Sequence, residues 1–304
     1  MRDLIIIGGG AAGITAGIYA ARKYLSALLI ARDFTGQIGT SPLIENYPGF
    51  KKISGLDLIK KFKEHLELFE NLEIKAFESV REIKKIKQGW QIITDENKYE
   101  SKAVIIATGS LPKKLNIKNE DKFLGQGISY CVTCDETSFK DKIVAVIGGG
   151  NAGVEAALEL ARFCSRVYVL EYLNELSADK ILQAEIKKNK KIVIITAVAV
   201  KAFQGGKKLE KIIYQNRKSK KNKEIIINGC FIEIGANPNT EFVKDFLLLN
   251  KKGEIKVNSH TLETSVQGIF AAGDVTDLSD KQIIIAAGQG ATALLSANKY
   301  LNKK

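Results

Sequence analysis

Two glycine runs constrain this chain more than anything else in it: Gly8-Gly9-Gly10-Ala11-Ala12-Gly13 and Gly148-Gly149-Gly150-Asn151-Ala152-Gly153. Each follows a short apolar stretch, Leu4 to Ile7 or Ile143 to Ile147, and opens a segment rich in alanine. Strand, tight turn and helix form the context in which such a run holds a dinucleotide. The first glycine makes the turn, the second lets backbone N–H groups approach a pyrophosphate, and the third packs helix against strand. A cysteine pair, Cys131-Val132-Thr133-Cys134, stands just ahead of the second run. Two nucleotide cradles around a CxxC point to electrons moving between a nucleotide cofactor and a dithiol.

The 304 residues exceed one ordinary core and imply two domains, or one domain interrupted by another. With 45% hydrophobic and 26% charged residues the composition is that of a soluble globular protein. No apolar run approaches the roughly 18–20 residues of a membrane span. The stretch from Leu4 is too glycine-broken to be a signal-peptide core. Four cysteines do not make a secreted disulfide scaffold, so a reducing cytoplasm is expected. The formal charge of +12 is mostly lysine, and much of it falls between Ile186 and Lys223. No aromatic side chains interleave the run Arg217-Lys218-Ser219-Lys220-Lys221-Asn222-Lys223, which therefore reads as a solvated hairpin tip rather than a nucleic-acid surface.

Along the chain, strands are expected at Ala27–Ile30, Glu73–Phe77, Trp90–Thr94 and Ala103–Ile106, with a helix over residues 57–70. Pro112 and the polar stretch Lys113–Asp121 read as a linker, and Gly235-Ala236-Asn237-Pro238-Asn239 as a second, turn-like one. A second βαβ unit runs from Ile143 to Leu170, and a long helix from Ile283 to Leu301.

Further motifs complete a pattern: Gly36-Gln37, Glu45-Asn46-Tyr47-Pro48-Gly49, Ala107-Thr108-Gly109, Cys131-Val132-Thr133-Cys134-Asp135, Ala271-Ala272-Gly273-Asp274-Val275, and Lys281-Gln282 before Ala286-Ala287-Gly288. Over nearly its whole length the chain resembles the low-molecular-weight thioredoxin reductases. The resemblance implies an α/β fold of two Rossmann-like three-layer dinucleotide-binding domains, the second inserted into the first. The FAD-binding domain would comprise residues 1–112 and 242–304, and the nicotinamide-type domain, carrying the CxxC, residues 113–241. It also implies bound FAD, a nicotinamide donor, a thioredoxin or thioredoxin-like protein acceptor and a homodimer. Gly8, Gly10, Ala12 and Gly13 would cradle the FAD pyrophosphate, with Gly36, Gln37 and Asn46 on the flavin side. Thr108 and Gly109 would close over the cofactor, Gly273 and Asp274 would meet the ribityl chain, and Gln282 and Ile283 the pyrimidine edge. Cys134 would face the flavin, Cys131 would attack the partner disulfide, and Asp135 would move protons.

Thiolates carry this chemistry, and an unperturbed cysteine with a pKa of about 8.5 is mostly protonated at neutral pH. A nearby helix N-terminus would lower one thiol, and the short spacing lets a single disulfide open and close. Structural zinc would need two more ligands, and His65, His260, Cys164 and Cys230 lack finger-like spacing. Cys164 and Cys230 read as buried small apolar residues.

The chain departs from the NADPH-using members of the family it resembles, whose second cradle is followed by a His-Arg-Arg-x-x-x-Arg signature. Here the segment is Glu171-Tyr172-Leu173-Asn174-Glu175-Leu176-Ser177. An acid about 20 residues beyond the glycines hydrogen-bonds a free ribose 2′-hydroxyl. The same carboxylate repels a 2′-phosphate of nearly two negative charges. Gly148, Gly150, Asn151, Ala152, Gly153 and Glu171 are thus expected to bind NADH. Ala31 stands where the first cradle would carry the corresponding acid, and Lys281 where relatives carry an arginine. Ferredoxin or another carrier as donor, and a flavin-dependent thiol oxidase using oxygen, are the competing readings. Because dithiol and second cradle fall in one domain, a rotation near Pro112 and Pro238 is expected to present them in turn.

Overall fold

The apolar runs become the central strands of two open sheets. The computed structural model describes residues 1–41 and 43–302. Its chain divides into two compact units, Met1–Leu111 with Asn237–Lys304, and Pro112–Ala236. Asn237 to Glu241 thus pack with the first unit. Lys303 and Lys304, at the end of the expected first domain, lie outside the described residues.

The first unit starts with β1 (Arg2–Ile7), α1 (Ala11–Arg22), β2 (Ala27–Ala31), α2 (Gly55–Glu67) and β3 (Leu72–Ala76). It continues through β4 (Val80–Ile86), β5 (Gly89–Thr94), β6 (Lys98–Ile106) and β7 (Ser110–Pro112). The second unit holds α3 (Glu120–Phe123), β8 (Ile128–Ser129), α4 (Val132–Asp135), β9 (Ile143–Ile147), α5 (Asn151–Phe163), β10 (Arg166–Leu170) and α6 (Lys180–Lys188). Then come β11 (Ile192–Ile195), β12 (Val198–Gln204), β13 (Lys211–Asn216), β14 (Asn222–Ile226) and β15 (Gly229–Ile232), and β16 (Ala236–Pro238) spans the crossing back to the first unit. The return to the first unit supplies β17 (Ile269–Ala271) and α7 (Ile283–Leu301).

In the first unit the sheet runs β3-β2-β1-β6-β5-β4, with β17 also on β6. β3, β2, β1 and β6 are parallel, whereas β5 and β4 continue as an antiparallel meander. Strand alternation sends Leu4 and Ile6 to one core and Ile5 and Ile7 to the other, which is why β1 is continuously apolar from Leu4 onward. One face is covered by α1, α2 and α7, through Ile14, Ile59 and Leu294. On the other face Val243 and Leu247 pack in one cluster with Trp90 of β5. Where α1 meets α7, a Cβ on Gly290 would lie 2.1 Å from the Ala12 carbonyl oxygen, so only glycine permits the approach.

The second unit repeats the plan with β11-β10-β9-β15-β8, all parallel. One face carries α5 and α6, and the other an antiparallel sheet β12-β13-β14. Both units are α/β layers of the Rossmann kind; counted from the strand that leads into each cradle, the parallel strands run 3-2-1-4 in both, as β3-β2-β1-β6 and β11-β10-β9-β15.

The chain crosses between the units at Leu111–Pro112 and Ala236–Asn237, within the two expected linkers, but neither stretch is a free loop. Lys113–Asp121 is packed, because buried Glu120 gathers the N–H groups of Leu115 (2.9 Å) and Ile117 (3.4 Å) and the Tyr130 hydroxyl (2.6 Å). The stretch around Pro238 is the strand β16, paired with β7, rather than a turn. An added strand, β4, also went unread because its burial pattern exposes most positions.

Candidate functional site

Each strand–turn–helix junction leaves an open corner at the point where the sheet order reverses. A Cβ on Gly8 (φ +121°) would lie 2.2 Å from the Ala107 carbonyl oxygen, and one on Gly13 would lie 1.9 Å from that of Gly8. The second cradle repeats this geometry, with Gly148 (φ +123°) against the Glu233 carbonyl at 2.3 Å and Gly153 against Gly148 at 2.1 Å. The middle glycines differ. A Cβ on Gly10 would meet nothing within 4 Å, and one on Gly150 nothing nearer than Ser177 Oγ at 3.7 Å. Both are N-cap residues of their helices, and no side chain caps either end among the described residues. A helix N-terminus left open in this way fits the phosphates of a dinucleotide.

In the first unit, candidate residues from distant parts of the sequence converge. Gln37 Nε2 donates to Ser110 O at 2.5 Å and to Asp274 Oδ2 at 3.3 Å, and Asn46 Nδ2 donates to Gln282 Oε1 at 3.1 Å. Gly273 (φ +80°) rests against Ala12, and its N–H donates to Gln289 Oε1 at 2.7 Å. Gly36 (φ +47°) donates its N–H to Asp33 at 2.8 Å. Ile283 opens α7 directly after Gln282. Thr108 and Asn239 exchange side-chain to backbone hydrogen bonds, both 2.8 Å, while Asn239 N–H donates to Gly109 O at 3.0 Å. Asn239 read only as the end of a linker and Gln289 was not singled out, since neither belongs to a cradle or cysteine motif. Burial raises the Asp274 carboxyl above its ordinary value, against the pull of Lys281. Lys281 itself turns inward, donating to the Thr276 carbonyl and pairing with Glu254 at 3.3 Å.

In the second unit Cys131 and Cys134 form a disulfide with a Cα–Cα distance of 5.4 Å. Both are half-buried. Cys131 is the N-cap of α4, a helix of a single turn, so its dipole acts less on the thiols than a long helix would. Ser129 Oγ fixes the pair's first residue, accepting from Cys131 N–H at 3.0 Å and donating to Cys131 O at 3.1 Å. Burial raises the Asp135 carboxyl, with a Ser129 hydrogen bond pulling the other way. A carboxyl so placed holds its proton to higher pH than a free aspartate and suits proton exchange with a thiolate. Cys164 and Cys230 are fully buried, and burial pushes the Cys164 thiol up to about 11. His65 and His260 are exposed.

Glu171, only 7% exposed, follows β10 directly, beside the second cradle. A Cβ on Gly149 would lie 2.6 Å from Glu171 Oε2, while Oε1 accepts the Leu173 N–H at 2.6 Å. Ala31 holds the matching place in the first unit, 2.9 Å from a Cβ on Gly9. Asn151 and Asp179 bond reciprocally at 2.8 Å, and the N–H groups of Ser177 and Ala178 donate to Gly149 O, strapping this loop to the cradle. Asn151 and Ala152 are exposed.

Behind the cradle, Glu233 has its carboxyl pushed up to about 7 by burial, with the Glu159 charge adding to it. The folded state therefore binds this proton more tightly than the unfolded chain does, near 4.5. Stability is greatest below that value and falls as pH rises through about 7, on the order of 3 kcal/mol at most. Glu233→Gln is expected to raise the melting temperature at pH 8, with the gain shrinking toward pH 4. Thermal melts of both proteins across this range check it.

The model of the pyridine nucleotide-disulphide oxidoreductase family matches residues 2–290. The chain is 38% identical over 303 residues to the "34.2 kDa protein in rubredoxin operon" of Clostridium pasteurianum, covering 99% of this chain and 98% of that one. It is 37% identical to the NADH dehydrogenase of Bacillus subtilis (strain 168) over 98% of its own length, but spans only 58% of that relative. Among solved structures, thioredoxin reductase from Streptococcus pyogenes MGAS5005 aligns with a TM-score of 0.94 at 38% identity, over 99% of this chain and 98% of that one. The chain belongs to the pyridine nucleotide-disulphide oxidoreductase family, as a FAD-dependent disulfide reductase of the low-molecular-weight thioredoxin reductase type.

Proposed function

We propose that this protein takes electrons from NADH, passes them through FAD to the Cys131–Cys134 disulfide, and delivers them to the disulfide of a thioredoxin-like protein. The observation that carries the reading is a closed CxxC disulfide, with Asp135 beside it, in the same unit as a glycine cradle backed by Glu171.

FAD, when bound, supplies the exchange between two-electron donors and thiols. In this reading Gly8, Gly10, Ala12 and Gly13 hold its pyrophosphate at the α1 N-terminus. Gly36, Gln37, Asn46, Thr108, Gly109, Gly273, Asp274, Gln282 and Ile283 orient the rest, and Asp274 does so as a half-buried hydrogen-bonding group. Gly148, Gly150, Asn151, Ala152, Gly153 and Glu171 take the nicotinamide nucleotide. After the pair is reduced, the Cys131 thiolate attacks one sulfur of the partner disulfide, forming a mixed disulfide and releasing the other partner sulfur. The Cys134 thiolate then attacks Cys131, expelling the partner as a dithiol and restoring the Cys131–Cys134 bond. Asp135 donates a proton to a departing thiolate and recovers it.

Glu171 supports NADH as the donor. Its carboxylate accepts a hydrogen bond from a ribose hydroxyl and meets a 2′-phosphate with repulsion of several kcal/mol at about 4 Å and an effective dielectric near 20. The name of the Bacillus subtilis relative points the same way. NADH is expected to reduce the flavin about 100-fold more efficiently than NADPH. Anaerobic stopped-flow mixing with NADH, NADPH or reduced ferredoxin, followed by flavin absorbance, tests it; preferential bleaching by NADPH or ferredoxin overturns the donor assignment. Rotation about the two chain crossings belongs to this reading, as do a homodimer and a reducing cytoplasm. A cross-link that freezes one orientation is expected to abolish one half-reaction and spare the other.

A further inference from the structure

The lysine-rich run between β13 and β14 is exposed at Lys218, Lys220 and Lys221, yet its first residue does not share their fate. The Arg217 guanidinium lies over the Tyr172 ring, with Cζ 3.8 Å from the ring centroid, and Nη1 donates to the Tyr172 carbonyl at 2.8 Å. The backbone around this pair is held on every side. Arg217 N–H donates to Ala197 O at 2.8 Å, and Ala197 N–H donates to Leu173 O at 2.7 Å. Val198 N–H donates to Glu171 O at 3.0 Å, while Asn216 Oδ1 accepts from Lys218 and Ser219 N–H groups at 3.0 and 2.9 Å. Three segments of the unit thus converge to hold one tyrosine.

That tyrosine is nevertheless 57% exposed. Tyr172 directly follows Glu171, whose carboxylate abuts Gly149 and which the proposed reading assigns to the adenosine ribose. An aromatic ring held rigid and left open there costs little further entropy when a flat base covers it. We propose that Tyr172, braced by Arg217, is the platform on which the adenine of the nicotinamide nucleotide stacks, with Arg217 as its positioning residue. This rests on the reading of the second cradle as a nicotinamide nucleotide site and adds its base-recognition element. The alternative role for Arg217, an anchor for a 2′-phosphate, is disfavoured because its guanidinium already engages the tyrosine carbonyl and ring beside a buried carboxylate.

Calorimetric titration of the FAD-loaded full-length protein with ADP-ribose and with 2′,5′-ADP separates these roles. Tyr172→Ala is expected to weaken ADP-ribose binding about 10-fold or more, the scale of losing a base-stacking ring, and Tyr172→Phe to restore it. Arg217→Ala is expected to weaken ADP-ribose by several-fold, and Arg217→Lys to behave like Arg217→Ala, since an ammonium lacks the planar fork. Unchanged ADP-ribose binding by Tyr172→Ala overturns the platform. A loss confined to 2′,5′-ADP in Arg217→Ala, rescued by lysine, overturns it in favour of the phosphate anchor. If the unaltered protein binds neither probe, the nucleotide reading of the cradle fails and the platform with it.

Discussion

Replacing Cys134 with serine is expected to lower NADH-dependent reduction of a protein disulfide by about 10³-fold or more, the scale on which removing a nucleophile acts. A hydroxyl cannot close a disulfide, so the electrons have no sulfur path outward. The same variant should stay yellow and still pass electrons to a small acceptor such as ferricyanide, because Gly8, Gly10, Gln37 and Asp274 lie in the other compact unit. Cys131→Ser should lose protein-disulfide reduction equally. Cys164→Ser should change little, since that buried thiol, with Sγ 3.3 Å from Phe139 O, is protonated at neutral pH. Parallel assays with a thioredoxin-like substrate and with ferricyanide check this. Full disulfide reductase activity in Cys134→Ser would sink the assigned route.

The second large effect separates holding the cofactor from holding the fold. Gly10→Val places its side chain in the open space before the α1 N-terminus, where nothing lies within 4 Å of a Cβ. The N-cap has φ −84° and ψ −172°, which valine adopts without strain. Stability of the cofactor-free protein should therefore change by only about 1 kcal/mol. FAD affinity should fall about 100-fold or more, because the added methyls occupy the approach to the helix N–H groups. Gly13→Ala should behave differently, because its Cβ would sit 1.9 Å from Gly8 O and force the strand and helix apart. It should lower the melting temperature and lose FAD together. Melts of cofactor-free protein with FAD titration distinguish the two; tight FAD binding by Gly10→Val would remove Gly10 from the cradle.

Much of the candidate site is legible because the chemistry proposed for it is written in short, contiguous motifs. The cradle glycines, Cys131, Cys134 and Asp135 are set by turn geometry and by sulfur chemistry that need few neighbours. The long helix Ile283–Leu301 was read with its ends correct, since its small and apolar residues recur at helical spacing. Other elements defeated local reading. Lys113–Asp121 looks polar enough for a linker, yet one buried carboxylate, Glu120, satisfies two backbone N–H groups there and draws the segment in. Pro238 suggests a turn, but it ends a strand whose partner, β7, stands more than a hundred residues earlier.

On its own, the sequence determined the strand–turn–helix units, the redox pair and the acid just after β10, because covalent spacing and backbone sterics act within a few residues. Only the tertiary structure decided that Gln37 meets Asp274, that Asn46 meets Gln282, and that Arg217 leaves its lysine run to cover Tyr172. Those pairings join positions tens to hundreds of residues apart. They follow from sheet order and strand register, which are settled by burying both faces of each sheet at once.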